Sequence, residues 1–407
     1  MTPLLDRCVM CGLCAPHCPT YRLSGSELES PRGRLSLMGG LWQGRLDASP
    51  DVEQHLDSCL LCRNCEAVCP SQVPFGQIMD ATRERLVAQS SGPARGKLTQ
   101  LGMAFLTHPA RLRAAAWLAW LYQSSGTQRL ARALNVPRHP TLRRLEHLLP
   151  TGIAPRQLGR RYRPGPERTV HGEVSLFTGC LGSALDRETM NYALAVLNAA
   201  GYDVHIPRDQ ACCGALHLHS GEKFTARSLA QSNIQAFTAA GNHPLITLAT
   251  GCAATLREYP AAEGKARLPP VHEICEFLVA EAGAVERLTF APLPQRVLLH
   301  TPCSMRNVLR GERYVRSLLN AIPGIELIDA PSTGCCGAAG SYMLSQPTTA
   351  EALRTPLIDA VQAHDVAILV TTNIGCALHL AAGLRERGTQ VEVVHPVTLV
   401  ARQLRHH

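Results

Sequence analysis

The sequence has no run approaching the roughly 20 apolar residues that a bilayer-spanning helix needs, so a chain that is soluble or peripheral is expected. It also has no apolar segment ahead of its first cysteine at position 8, where Asp6 and Arg7 stand instead. A secretory leader is therefore not expected. Seventeen cysteines, an odd number, without such a leader favour reduced, metal-bound thiols in a cytoplasmic compartment over disulfides. No G-x-G-x-x-G follows a predicted strand and no flavin motif is defensible, so hydride chemistry is not expected within this chain. The net charge of +8 comes without a recognised nucleic-acid-binding motif, which makes nucleic acid the weakest candidate partner. At 407 residues the chain has length for two to four domains with buried cores.

What it does have is a repeated cysteine run. Cys8-Val-Met-Cys11-Gly-Leu-Cys14-Ala-Pro-His-Cys18-Pro19 returns as Cys59-Leu-Leu-Cys62-Arg-Asn-Cys65-Glu-Ala-Val-Cys69-Pro70, both reading C-x2-C-x2-C-x3-C-P. Three closely spaced thiolates can take three corners of an iron-sulfur cube, and in two-cluster proteins of this pattern the fourth cysteine of each run serves the other cluster. The spacing thus assigns Cys8, Cys11, Cys14 and Cys69 to one 4Fe-4S cluster, and Cys59, Cys62, Cys65 and Cys18 to a second. Zinc knuckles also use C-x2-C. A zinc site, however, has no use for a further cysteine three residues on and a proline after it, twice. Two neighbouring clusters point to electron transfer.

Between and after the runs the pattern is helical. Ser30 before Pro31 reads as an N-cap and first helical position, predicting a helix over 31–41; others are expected over 50–56 and 75–89. Arg32 and Arg34 would lie near the clusters, where positive charge raises a cluster's potential; ordinary solvated arginines are the alternative. From Arg111 to Arg168 twelve arginines face two acids, Glu146 and Glu167, a stretch suited to an acidic partner or anionic lipid. Within it a helix over 101–123 contains Trp117 and Trp120, and either lies in a membrane interface or packs on its own protein or a partner subunit. Residues 150–168 read as a linker.

The rest is an internal duplication. Cys180 and Cys303 are each followed 32 residues later by Cys-Cys-Gly, as Cys212-Cys213-Gly214 and Cys335-Cys336-Gly337. Cys252 follows Cys212 by 40 residues and Cys376 follows Cys335 by 41, while Val271-His272 and Val394-His395 recur at an offset of 123. Each copy alternates strand and helix, with strands over 174–177, 203–206 and 245–249 and then 296–299, 325–328 and 367–370. That alternation implies parallel sheets. The expected architecture is α followed by α/β: a helical two-cluster ferredoxin module (1–90), a helical arginine-rich linker (91–168) and two Cys-Cys-Gly domains (169–285 and 294–407). Because sites in open α/β sheets form beyond the carboxyl ends of strands, Cys180, Cys212, Cys213 and Cys252 should meet in one place, and Cys303, Cys335, Cys336 and Cys376 in another. Buried inert cysteines would not recur at matched spacings. His379, three residues after Cys376, is a further ligand candidate; His272 and His395 read as caps or packing residues, and Cys275 as a core thiol.

Two ferredoxin-type runs followed by two Cys-Cys-Gly domains resemble the iron-sulfur subunits of membrane-associated dehydrogenases and of heterodisulfide reductase. Cys18-Pro-Thr-Tyr21, Ser30-Pro-Arg-Gly-Arg34, His55-Leu-Asp-Ser-Cys59, Cys62-Arg-Asn-Cys65-Glu66 and Asn373-Ile-Gly-Cys376 resemble, more closely, the iron-sulfur subunits of bacterial glycolate oxidase. The resemblance implies an electron-transfer subunit with no substrate-oxidising site of its own. Flavin-bearing partner subunits would oxidise glycolate to glyoxylate, and this chain would pass electrons towards quinone at the cytoplasmic membrane face. A glycerol-3-phosphate, lactate or disulfide substrate and a non-catalytic redox sensor are the alternatives. In heterodisulfide reductase the last cysteine of each copy begins a further C-x2-C, which holds an unusual non-cubane cluster. Here Cys252 is followed by Ala-Ala-Thr255 and Cys376 by Ala-Leu-His379. Four cysteines per copy still suffice for one further iron-sulfur cluster in each, with a thiol or docking site as the alternative.

Overall fold

The structure is a computed structural model that describes residues 1–89, 102, 109–134, 136, 139–150, 160–260, 267–280 and 283–405. In the N-terminal module the helices Pro31–Trp42, Pro50–Asp57 and Phe75–Gln89 pack around Met38, Leu56, Ile78 and Met79, all fully buried. Ser30 starts the first of these as its cap, its Oγ accepting from Gly33 N at 3.0 Å, and Ser49 caps the second through Val52 N. Each such cap stabilises a helix by about 1 kcal/mol and fixes where it begins. The helices brace the loops that hold the two cysteine runs.

The duplicated part folds as two sheets. The first takes the order β1-β3-β2-β4-β5, formed by Arg161–Tyr162 (β1), Gly172–Phe177 (β2), Tyr202–His205 (β3), Leu245–Thr247 (β4) and Val271–Glu273 (β5). The second takes the order β7-β6-β8-β9, from Arg296–His300 (β6), Glu326–Asp329 (β7), Ile368–Thr371 (β8) and Glu392–Val394 (β9). All pairings are parallel except β1 against β3. Strands β1, β5 and β9 are additions to the expected pattern. They are two or three residues long and each carries a charged residue, so they lack the apolar run that marks the equally short β4.

The two sheets share one core. Val174, Leu176, Val204 and Ile246 of the first and Val297, Leu299, Val370 and Val394 of the second belong to a single buried cluster. Helix exchange explains how. The closing helix of the second copy, Pro396–Gln403, packs on the opening helix of the first, Arg187–Ala199. Reciprocally, Ile274–Ala280 of the first copy packs on Glu312–Asn320 of the second. Neither copy buries its apolar helix faces without the other, as expected of a repeat whose core is completed by its neighbour.

The arginine-rich segment forms the helices Pro109–Ser124, Thr127–Ala133 and Pro140–Leu148. Most of the expected helix start at 101–108, and residues 151–159 of the expected linker, lie outside the described residues. Leu112 and Ala116 pack against Ala184 and Leu185 of the first copy. At the other end Arg144 meets Glu351 at 3.0 Å, and Arg385 of the second copy donates to the carbonyl of His147. The segment therefore straddles both copies. Among the described residues no helix is long and apolar enough to cross a membrane.

Leu197 lies fully buried in the shared core. Leu197→Ala is expected to cost about 2–5 kcal/mol and to lower the thermal midpoint of both copies together in one transition, followed by calorimetry of anaerobic protein. Separate transitions, with only the first copy affected, would contradict a shared core.

Candidate metal centres

All seventeen cysteines are free thiols, and sixteen line three cavities; Cys275 alone sits elsewhere, fully buried in the shared core. Cys8, Cys11, Cys14 and Cys69 line the first cavity together with Cys65. Cys18, Cys59, Cys62 and Cys65 line the second. The third, of about 490 Å³, lies where the two copies and the N-terminal module meet, and it receives Cys180, Cys212, Cys213, Cys252, Cys303, Cys335, Cys336, Cys376 and Cys59. The spacing alone predicts two separate meeting points, one per copy, whereas all eight thiols of the copies face one common space.

Local structure explains the convergence. Cys180 opens the helix Cys180–Leu185, Cys252 lies in the first turn of Thr250–Arg257, and Cys376 in that of Ile374–Glu386. The paired cysteines end in Gly214 (φ +79°) and Gly337 (φ +86°), left-handed positions that turn the chain at once; a Cβ on Gly337 would lie 2.4 Å from the Ala350 carbonyl. Sulfurs then lie within contact: Cys212 and Cys180 at 3.5 Å, Cys336 and Cys376 at 2.9 Å.

Such crowding has an electrostatic consequence. Burial pushes Cys62 and Cys65 well above the ordinary thiol range, and their neighbours' sulfurs push further. In the second copy Cys303 is raised first by its hydrogen bond with Cys335 and then by burial. Without a compensating cation these groups keep their protons; a metal that binds must displace them. Sets of cysteine sulfurs at hydrogen-bond distance, supplied by N–H donors such as Gly214 N to Cys212 Sγ at 3.5 Å and Asn373 Nδ2 to Cys376 Sγ at 3.6 Å, are a donor chemistry that fits iron-sulfur clusters.

Of the two arginines that the sequence places near the clusters, Arg32 is partly exposed and pairs with Glu27. Arg34 is among the most buried side chains in the protein, 1 % exposed. Its guanidinium donates to Thr20 Oγ1 (3.0 Å), the Glu29 carbonyl (2.7 Å), Ser58 Oγ (2.8 Å) and the Glu29 carboxylate, and its Nε donates to the His55 carbonyl (2.8 Å). One nitrogen also reaches Cys18 Sγ at 3.9 Å. The solvated alternative is thereby excluded for Arg34, whereas Arg32 fits it.

His379 is not at the cavity. Its Nε2 donates to the Ala350 carbonyl at 3.2 Å, and burial, then Arg354, lowers its pKa to about 4. The imidazole is a neutral core strut. His395 does cap its helix, Nδ1 accepting from Val397 N at 3.1 Å.

Sequence reasoning missed the residues that join the centres. Asn307 Nδ2 donates to the Cys62 carbonyl (2.7 Å) and to Asn64 Oδ1 (2.6 Å), while Asn64 Nδ2 donates to the His17 carbonyl (3.2 Å). Asn373 Oδ1 accepts from Gly251 N at 3.2 Å, crossing from the second copy to the first. Asn64 and Asn373 stand inside recognisable motifs, but nothing marks Asn307, whose repeat counterpart is Ala184.

Comparison with known proteins agrees with this geometry. Residues 4–73 match a 4Fe-4S dicluster domain, residues 174–257 and 297–381 match a cysteine-rich domain, and residues 96–149 match the linker region of the glycolate oxidase iron-sulfur subunit. The chain is 35 % identical to a probable glycolate oxidase iron-sulfur subunit of Bacillus subtilis, over 97 % of this chain and 93 % of that one. It belongs to the glycolate oxidase iron-sulfur subunit family. The Escherichia coli glycolate oxidase iron-sulfur subunit is 30 % identical over 94 % of this chain and 91 % of its own. One subunit of the E. coli anaerobic glycerol-3-phosphate dehydrogenase is 29 % identical over 57 % of this chain and 59 % of its own. Similarity thus extends to relatives named for other substrates, whereas the linker match is specific to this family.

Arg34→Met removes a buried positive charge beside Cys18. In an EPR-monitored titration it should make the potential of the neighbouring cluster more negative, by about 60 mV for each tenfold change in a one-electron equilibrium. Arg34→Lys, which keeps the charge, should recover most of the shift. Equal potentials in all three proteins would exclude the electrostatic role.

Proposed function

We propose that this chain carries electrons from a partner flavoprotein that oxidises glycolate to glyoxylate, through iron-sulfur clusters held by its own cysteines, towards a quinone or other acceptor. The observation behind this reading is the continuity of the three cavities. Cys65 lines both the first and the second, and Cys59 lines both the second and the third. Cys8, Cys11, Cys14 and Cys69 would hold one 4Fe-4S cluster, and Cys18, Cys59, Cys62 and Cys65 another. Cys180, Cys212, Cys213 and Cys252 would hold a third, and Cys303, Cys335, Cys336 and Cys376 a fourth. Bound clusters supply one-electron carriers. What the chain contributes is their spacing, the N–H groups on their sulfurs and the exclusion of water.

The far end of this route meets a surface suited to anionic lipid. Helix Pro109–Ser124 packs Leu112, Ala116 and Trp120 in the cluster that includes Cys180 and Leu185. Its other side exposes Trp117, Leu118 and Leu121, and the next two helices expose Leu130, Leu134, Leu142 and Leu145. Arg111, Arg113, Arg129, Arg132 and Arg143 are exposed among them, while the one acid of these helices, Glu146, is buried and accepts from Gln128 and Arg132. Exposed apolar side chains rimmed by cations of one sign suit a headgroup boundary. Contact there would bring a membrane-borne acceptor close to Cys180.

Iron and acid-labile sulfide on anaerobic protein should give about 16 of each per chain. Together with its flavoprotein partners, the protein should support glycolate-dependent reduction of a quinone analogue. About 8 irons would remove the cysteine-rich copies from the path. Failure of glycolate alone, where glycerol-3-phosphate or lactate reduces the clusters, would reassign the substrate.

Trp117→Ser with Leu118→Ser should abolish co-flotation with vesicles containing anionic phosphatidylglycerol and leave iron content unchanged. Undiminished flotation would move the lipid contact elsewhere.

A further inference from the structure

A second kind of metal-ligating cluster lies away from every cysteine-lined cavity, on the first sheet. Glu173 of β2, His205 of β3 and His243 of the turn before β4 bring one ligand atom each within 4.8 Å of one another. His205 Nε2 lies 2.9 Å and His243 Nε2 3.1 Å from the same carboxylate oxygen, Glu173 Oε2. The two imidazoles stack with centroids 4.9 Å apart and planes inclined by 26°. All three side chains are partly exposed, which leaves solvent access to the point they face.

We propose that Glu173, His205 and His243 form a zinc site with water completing the coordination. Two imidazoles and one carboxylate with an open position is a donor set zinc favours. Ligands at 2.0–2.1 Å in a tetrahedron stand about 3.3 Å apart, so the two histidine–carboxylate separations need to open by only a few tenths of an ångström. The neighbouring charge does not forbid it. Arg161 is held by Asp203 through contacts of 2.5, 2.8 and 3.0 Å, and touches Glu173 once, on the other oxygen, at 3.2 Å.

The backbone is shaped to aim the third ligand. Gly241 (φ +112°) and Asn242 (φ +57°) are successive left-handed residues, and the turn is tied to β2 by Ser175 N donating to the Pro244 carbonyl at 2.9 Å. A Cβ on Gly241 would stand 2.3 Å from His243 Nε2, so the glycine makes room for the ring to fold back. The second copy has none of this. At the positions matched by strand register it carries Arg296, Ile328 and Ala367. The triad is therefore not inherited from what the duplication shares. Bound zinc would tie β2, β3 and the turn before β4, and the chain runs on from β2, β3 and β4 to Cys180, Cys212 and Cys252.

The test uses cluster-loaded full-length protein given one equivalent of Zn²⁺. Zinc K-edge absorption should show nitrogen and oxygen at about 2.0–2.1 Å and no sulfur near 2.3 Å, which separates this site from zinc misplaced among the cysteines. In competition with a chromophoric chelator, His205→Ala and His243→Ala should each weaken binding by about 100-fold or more, since even outer-sphere changes cost 10–100-fold. Iron content should stay constant. Gly241→Ala, which keeps all three ligands, should weaken binding by crowding His243, and His219→Ala, whose ring pairs with Asp80, should not. Sulfur scattering, or equal affinity in wild type and both histidine variants, would overturn the proposal; the absorption spectrum of wild type decides it even if a variant fails to fold.

Discussion

Buried sulfur needs a counter-charge. Sixteen thiols face three cavities, and several of them, such as Cys62, Cys65 and Cys303, are pushed towards the protonated form by desolvation and by neighbouring sulfurs. A carboxylate in this position could be relieved by an arginine alone. Several thiolates facing one point can be relieved only by a multivalent cation, and metal binding in such a setting contributes directly to folding free energy. The rest of the structure can be understood as scaffolding for that requirement. Helix N-termini are turned towards the cavity, glycines follow the paired cysteines, and one arginine is buried whole beside Cys18.

Arg34 shows how far the constraint reaches. A guanidinium at 1 % exposure is costly unless its donors are met, and here every nitrogen has a partner drawn from three separate segments: Cys18 and Thr20, Glu29, and His55 and Ser58. The residue whose charge stands beside Cys18 therefore also fastens the two cysteine runs together. Function and folding use one side chain.

Much of this is legible in the sequence because cysteine spacing is a discrete signal. The two C-x2-C-x2-C-x3-C-P runs and the 32-residue interval before each Cys-Cys-Gly need no periodicity to be read, and Ser30-Pro31 locates a helix start that the cap at Gly33 N reproduces. Other features are not legible, for physical reasons. Strands β5 and β9 are three residues long and each carries a charged residue, so they lack the apolar run by which the equally short β4 is read. The merging of both copies' thiols into one cavity depends on helices exchanged between copies, a relation no local pattern encodes. His379 misleads because sharing a helix face with Cys376 does not carry its ring to the cavity: Nε2 is taken up by the Ala350 carbonyl instead. Asn307 leaves no signal at all, since asparagine is common in such positions and its partners lie 245 and 243 residues away.

The duplication is symmetric in its cysteines and asymmetric in its surroundings, and the asymmetry gives the proposed route a direction. Cys303 and Cys335 of the second copy face the N-terminal module: Cys335 belongs with Leu60, Cys62 and Cys303 to one packed cluster, and Asn307 grips the Cys62 carbonyl. Cys180 of the first copy packs instead on the helix Pro109–Ser124, whose outer face is exposed tryptophan and leucine. Between the copies Asn373 accepts from Gly251 N and donates to Cys376 Sγ, and Ser304 donates to Thr250, so the two halves of the shared cavity are in direct contact. On the proposed route an electron arriving at Cys62 would meet the second copy first, cross a short bonded boundary, and reach the first copy beside the outer surface. Two copies of one fold could then serve two different jobs because their cysteines have different neighbours: on that route one would receive from the module and the other would deliver at the exposed helix.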